Sequence, residues 1–283
     1  CLTALIWALS ITLIGNALTG PDVFFVAAAR MGLALGLFLF FLKPQAVDKK
    51  TALRLMGIGA VQYAVMAILY LFAFRILKSY EVALFTITTP FWVMLLSDAN
   101  KRAIRPAFWV AVLLSILGAW LLQPQRELHW GLLKGFLLVQ AADFCFAWGQ
   151  VSYRKLRRAQ TELVDSQIYA YVYLGAFVCA LIALVLWGDF SQGLSLSPKQ
   201  WGVLLWLGLI SSGLAFFLWN KGAVRTNPGT LAAANNLKIP LAVGLAWCLF
   251  GEMPQALGTT QFVLGAALIF IAMALPLFNA KRT

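Results

Sequence analysis

The run Ala232-Ala233-Ala234-Asn235-Asn236-Leu237-Lys238-Ile239-Pro240-Leu241 lies in the middle of an apolar segment covering residues 229–250. Two carboxamides, a cation and a helix-breaking proline thus meet where a membrane-crossing helix would reach the bilayer centre. A charge at that depth costs from about 2.5 to about 17 kcal/mol depending on the scale, so it is rarely kept without a partner or a task. The stretch makes sense inside a membrane-embedded helical protein, facing a polar interior where a small solute is met.

Composition agrees with that reading. Of 283 residues, 62% are hydrophobic and 11% charged, and the mean hydropathy is +0.84. A soluble domain cannot carry so much apolar surface, which leaves an all-α integral membrane protein with the lipid bilayer as its surroundings. The formal net charge of +12 would suit nucleic acid. The basic residues fall in short runs between apolar spans, however, as topology signals do, and no nucleic-acid partner is expected.

Catalytic chemistry finds no foothold. Cys1, Cys145, Cys179 and Cys248 form no close pair and sit within apolar spans, which argues for packing rather than zinc or disulfides. His129 is the sole histidine and falls in a loop. There is no nucleophile elbow and no Gly-rich phosphate loop before a Lys-Ser/Thr pair. Neither an enzyme nor an ATP-driven pump is supported, and no cofactor or metal is expected. Secondary transport or facilitated exchange remains.

A helix needs about 20 apolar residues to cross about 30 Å of hydrocarbon. That ruler predicts ten spans, over residues 2–18, 23–42, 52–77, 82–96, 107–122, 131–153, 167–187, 201–219, 229–250 and 257–278. Gly, Pro or charge marks the short connections, as at Gly20-Pro21, Lys43-Pro44, Arg105-Pro106 and Asn227-Pro228-Gly229. The chain begins at Cys1 rather than Met, so further residues are expected before it. Residues 2–18 lack a basic leader and are followed by further spans, which reads as a first transmembrane helix rather than a signal peptide.

Lysine and arginine concentrate in alternate connections: Lys43, Lys49, Lys50 and Arg54; Lys101, Arg102 and Arg105; Arg154, Lys155, Arg157 and Arg158; Lys221 and Arg225; and, in the tail, Lys281 and Arg282. The intervening connections carry only Arg75, Lys78, Arg126, Lys134 and Lys199. Positive charge stays inside, so both termini are expected in the cytoplasm. Arg30 and Lys238 are the two cations left over, both within spans, and Asp143 is the one acid placed likewise.

An offset of 150 lays Arg75 on Arg225, Ala73 on Ala223 and Pro90 on Pro240. Five spans precede the connection at residues 123–130 and five follow it, so the halves 1–125 and 126–283 would insert in opposite directions. Inverted repeats of this kind are a recurrent transporter design.

Several stretches then resemble a known family: Ile6-Trp7-Ala8, Ala29-Arg30-Met31-Gly32, Phe85-Thr86-Ile87-Thr88-Thr89-Pro90, Trp219-Asn220-Lys221-Gly222-Ala223, residues 229–240 and Gly251-Glu252. In this order and spacing they resemble the drug/metabolite transporter superfamily, in its ten-helix branch of two five-helix EamA-type repeats. Leu138-Val139-Gln140 with Phe146-Ala147, Trp201-Gly202-Val203-Leu204 with Ser212-Gly213, and Gly229-Thr230-Leu231 leading to Asn235-Asn236 are similar to its biotin-carrying members. Asp143 and Lys238 depart from that pattern. The resemblance implies biotin uptake at a bacterial inner membrane by alternating access, with export of amino acids, carboxylates or amines as the alternative. It also implies an arginine at position 30 across many substrates, which favours a structural role there.

The residues themselves define the expected substrate site. Lys238 offers a charge for a carboxylate, and Asn235 or Asn236 offers donors and an acceptor for an amide or ureido group. Interhelical hydrogen bonding is the alternative for both asparagines, worth around 1 kcal/mol each. Asp143 has two open roles, carrying a coupling proton or pairing with Lys238 or Arg30. Arg30 has two as well, binding an anion or holding the carbonyls of broken helices. Pro90 and Pro240 each remove an intrahelical hydrogen bond and mark helix breaks or simple kinks. Trp7, Trp148, Tyr63, Tyr171 and Tyr173 lie deep enough to wall an apolar ligand or to pack the core, and Gln140 is a further polar candidate. Trp130, Trp187, Trp201 and Trp219, at span ends, are expected as interfacial anchors. Sequence does not fix the oligomeric state or the direction of transport.

Overall fold

The computed structural model describes residues 2–98, 110, 113–114, 117–118, 121, 130–226, 231, 235–251 and 259–280. Every regular element among them is helical. We label them α1 (Leu2–Ala17), α2 (Val23–Leu39), α3 (Lys49–Phe74), α4 (Ser79–Ser97), α5 (Trp130–Ala159), α6 (Asp165–Trp187), α7 (Pro198–Arg225), α8 (Lys238–Phe250) and α9 (Thr259–Ala280). Five of them, α3 to α7, are 19 to 30 residues long and apolar enough to cross a membrane. The expected span at 107–122 falls mostly outside the described residues. So do the boundary between the proposed halves, His129, Glu252 and the charges Lys101, Arg102, Arg105, Arg126, Lys281 and Arg282.

The helices begin where the sequence supplies caps. Asp22 accepts from the Phe25 amide at 2.8 Å to start α2, and Asp48 accepts from the Thr51 amide at 3.1 Å to start α3. Ser197 and Gln200 cap the start of α7 reciprocally, with Pro198 in its first turn. Hydrogen bonds from Thr51 to Asp48, and from Ser191 to Asp189, hold both carboxyls below the usual carboxylate range. Gly251, with φ +64°, takes the left-handed conformation that closes α8.

Some helices differ from the expected spans. The second ends at Leu39 rather than residue 42, because the chain turns there ahead of the short 3₁₀ turn Pro44–Ala46. Trp130 and Trp187 are 82% and 70% exposed at helix ends, as anchors should be. Trp219 differs: it is buried, and its indole N–H donates to Gln150 Oε1 at 2.7 Å. The apolar run stops at Trp219, but α7 continues to Arg225 and carries the ring inward.

Four irregularities interrupt the long helices. A π-helical segment, Ala60–Val65, lies within α3, and another, Trp206–Ala215, within α7. A 3₁₀ turn, Thr86–Thr88, interrupts α4 just ahead of Pro90, and a turn at Leu237 precedes α8 just ahead of Pro240. Shifting by 150 residues carries the first π segment into the second, and Thr86–Thr88 onto the turn around Leu237. At the 3₁₀ break of α4 the hydroxyls of Thr86 and Thr89 donate to the carbonyls of Ala83 and Thr86, and the Gln140 amide donates to that of Phe85, so these backbone acceptors stay satisfied.

Helix α6 packs against α2 and α3, α5 against α3 and α4, and α1 against α7 and α8. Where α3 crosses α6 the backbones touch. A Cβ on Gly59 would lie 1.7 Å from the Val172 carbonyl oxygen, and one on Gly175 would lie 2.0 Å from that of Met56.

Two buried carboxamides tie α3 to α7. Gln62 Nε2 donates to Asn220 Oδ1 at 3.2 Å, and Asn220 Nδ2 donates back to Gln62 Oε1 at 3.1 Å. Asn220 also reaches the Tyr63 hydroxyl at 2.9 Å, which meets that of Tyr169 at 2.5 Å. Asn220→Ala strands the Gln62 amide, and a buried group left unsatisfied costs about 1–3 kcal/mol. Denaturation in detergent micelles is expected to show that loss. A Gln62→Leu/Asn220→Leu double variant, with no amide left to satisfy, is expected to recover part of it.

Candidate functional site

Side chains from α1, α2, α3, α5, α7 and the start of α8 line a cavity. Most of the wall is apolar, with Trp7, Met66, Phe74, Phe146 and Phe216 prominent. Polar atoms enter at a few points: Ser10 from α1, Arg30 from α2, Tyr70 from α3, Ser211 from α7 and Lys238 from α8.

The two cations reach the cavity for identifiable reasons. Arg30 sits in the second turn of α2, on the face that meets the π segment of α7, where its Nη2 donates to Ser212 Oγ at 3.0 Å. Lys238 is the first residue of α8, immediately after the break at Leu237. Its Nζ donates to Asn235 Oδ1 at 3.3 Å and lies 5.9 Å from the centre of the Trp7 ring. Both cations are buried. Several buried polar atoms around them have no protein hydrogen-bond partner: Trp7 Nε1, Arg30 Nε, Asn235 Nδ2 and Asn236 Oδ1. The wall combines two positive charges and unused donors on Trp7 and Arg30 amid aromatic surface, and the adjoining break adds an unused donor on Asn235 and an unused acceptor on Asn236. Such an arrangement favours an anion carrying an apolar body and a hydrogen-bonding head.

Asp143, on α5, does not reach the wall. It accepts from the Tyr70 hydroxyl at 2.5 Å, and the Thr88 hydroxyl stands 3.4 Å from its other oxygen. Gln140, one turn earlier, takes Thr88 and Trp92 on its carbonyl oxygen at 2.6 and 3.1 Å and donates to the Phe85 carbonyl at 3.1 Å. It therefore braces the 3₁₀ break of α4 from outside the cavity.

The expected residues separate into groups. Trp7, Arg30 and Lys238 line the cavity, and Asn235 and Asn236 are buried at the adjoining helix break. Tyr63 and Tyr173 lie behind the wall: their rings stack 5.2 Å apart, the Tyr63 hydroxyl meets Tyr169 and Asn220, and the Tyr173 hydroxyl donates to the Ser212 carbonyl. Trp148 and Tyr171 are half-buried and likewise off the wall. Pro90 is buried just after the α4 break, and the backbone at Pro240 is helical in the first turn of α8. Sequence reasoning missed Tyr70, Ser10, Ser211 and Phe216. Tyr70 is seven residues beyond Tyr63 on the same helical face, a spacing that could have singled it out.

A cavity with buried cations, set among helices long and apolar enough to cross a membrane, fits the class of small-molecule membrane transporters. The chain belongs to the EamA-like transporter family, whose model matches residues 1–123 and 133–278. It is 33% identical over 276 residues to a protein of Salmonella typhimurium named biotin transporter, covering 96% of this chain and 90% of that one. The biotin transporter of Escherichia coli K12 matches to the same extent. A probable biotin transporter of Pseudomonas aeruginosa is 38% identical over 266 residues, covering 91% of this chain and 92% of its own. One solved crystal structure, 19% identical, shares the fold with a TM-score of 0.71, covering 99% of this chain and 96% of its own.

Proposed function

We propose that this transporter takes up biotin across the bacterial inner membrane by alternating access. The observation that carries the chemistry is the pair of buried cations, Arg30 and Lys238, on an otherwise apolar wall. It calls for a small, partly apolar solute bearing an anion. The relatives' names supply the word biotin.

In this reading the carboxylate goes to Lys238, with Arg30 adding positive potential from across the cavity. The ureido ring goes to the free amide atoms of Asn235 and Asn236, and Trp7 covers the apolar ring system. Ten spans form two inverted five-helix halves, residues 1–125 and 126–283, with both termini in the cytoplasm. The matched irregularities of α3 with α7, and of the α4 break with the turn before α8, support that symmetry. Breaks beside Pro90 and Pro240 then serve as hinges while one helix group rocks against the other.

Counterflow in proteoliposomes tests the reading. Vesicles preloaded with unlabelled biotin are expected to accumulate labelled biotin transiently and saturably. Folded protein that exchanges no biotin would retire this substrate, and a panel of other carboxylates and amino acids would then be run in the same assay.

A further inference from the structure

A buried acid is kept off the cavity wall, and one residue does most of the keeping. Asp143 is fully buried, whereas Tyr70 lines the cavity and donates its hydroxyl to Asp143 Oδ1 at 2.5 Å. The neighbouring threonines cannot do the same work, because a hydroxyl has a single hydrogen. Thr88 directs its hydrogen best at Gln140 Oε1, 2.6 Å away, against 3.4 Å to Asp143, and Thr89 directs its own at the Thr86 carbonyl, 2.6 Å away. Tyr70 is the firm donor.

Lys238 stands on the cavity side of that phenol. Tyr70 and Lys238 line the same cavity, and Asp143 lies one hydrogen bond behind Tyr70. The carboxylate and the ammonium form no direct ion pair; among the described residues the bridge found is Arg157–Asp165, at 2.8 Å. In a low-dielectric interior, opposite charges so placed would join unless something competed for one of them. A short phenol–carboxylate hydrogen bond is such a competitor. Lys238 is left with Asn235 and the face of Trp7, both weak enough to yield to an incoming anion.

We propose that Tyr70 is a specificity-determining residue: its hydroxyl sequesters Asp143 behind the cavity wall, so that the cavity's described residues present two cations and no anion to the solute. The proposal rests on the anion-binding reading of this site. Loss of the hydroxyl releases Asp143 to pair with Lys238. The cavity then has its lysine neutralised, and a carboxylate must compete with an acid built into the protein.

The test uses the full chain in detergent, as wild type, Tyr70→Phe, Asp143→Asn and the double variant. Biotin binding is expected to weaken about tenfold or more in Tyr70→Phe, the loss of some 1.4 kcal/mol, and to return to near wild type in the double variant. Independently of any substrate, acetylation of Lys238 by acetic anhydride, read at the peptide by mass spectrometry, reports whether the amine is tied up. It is expected to slow in Tyr70→Phe, recover in the double variant, and match wild type in Asp143→Asn. Unchanged labelling in Tyr70→Phe, or a loss the double variant does not restore, overturns the proposal. Faster labelling in Asp143→Asn alone overturns it too, by showing that the acid already holds the lysine; this arm does not depend on Tyr70→Phe folding. If wild type binds no biotin, the substrate reading fails, and the lysine labelling still decides the shielding.

Discussion

Lys238→Ala is expected to weaken biotin binding about a hundredfold while leaving the protein folded. Truncating one side of a buried, hydrogen-bonded charge pair costs roughly 2–5 kcal/mol, since the partner charge is left desolvated without compensation. A solute carboxylate brought beside Lys238 would be in that position, with Arg30 already engaged by Ser212. Folding should not suffer. Without solute, the ammonium gives up its hydration for a 3.3 Å hydrogen bond to Asn235 and a cation–π contact with Trp7, a poor exchange for a buried charge. Lys238→Arg keeps the charge but replaces a point donor with a planar fork, and is expected to fall between the two. Asn235→Ala, which removes the acceptor that positions the amine, is expected to cost only about 1 kcal/mol. Equilibrium binding to purified protein, with melting temperatures alongside, measures all three. Wild-type affinity in Lys238→Ala would remove the lysine from the site.

The charged lining of the cavity was readable in the sequence where cost made it so. An intramembrane cation is expensive enough to stand out, so Arg30 and Lys238 could be singled out, and both line the cavity. Depth along a helix is much harder to read. Tyr63 and Tyr70 share a face of α3, but seven residues separate them by about 10 Å along the axis. The cavity takes the second and not the first. Nothing in composition marks that difference, because a tyrosine satisfied by Asn220 and Tyr169 has the same chemistry as one facing a solute. The π segments leave no compositional trace either, since one extra residue per turn alters which side chains align without altering which are apolar. Trp219 shows the limit of hydropathy from another direction. The end of an apolar run was a poor marker of the end of a helix, because α7 runs on through Asn220 and Lys221 to Arg225.

Gly59→Ala and Gly175→Ala are each expected to cost at least about 3 kcal/mol, at or beyond the usual range for overpacking. A single methyl group should suffice because the obstacle is backbone: the added carbon would sit 1.7 Å from the Val172 oxygen, or 2.0 Å from that of Met56, with no side chain free to turn aside. Relief requires α3 and α6 to separate. That movement would pull on Tyr63 and Tyr173, whose rings stack across the same interface. Gly57 supplies the control. It is exposed two residues earlier on α3, and a Cβ there would meet nothing within 4 Å. Gly57→Ala is therefore expected to be neutral or slightly stabilising, as alanine is the better helix former. Yield of monodisperse protein and thermal denaturation in detergent separate the cases, and a Gly59→Ala protein that behaved like Gly57→Ala would show that the crossing is not close. The difference matters more in a bilayer than in water. Lipid tails are as apolar as leucine, so helices there are held by close packing and interhelical hydrogen bonds rather than by expulsion from solvent. A crossing built on two glycines concentrates that packing where the large side chains of α3 and α6 would otherwise hold the helices apart, and it fixes the element that carries Tyr70 to the cavity.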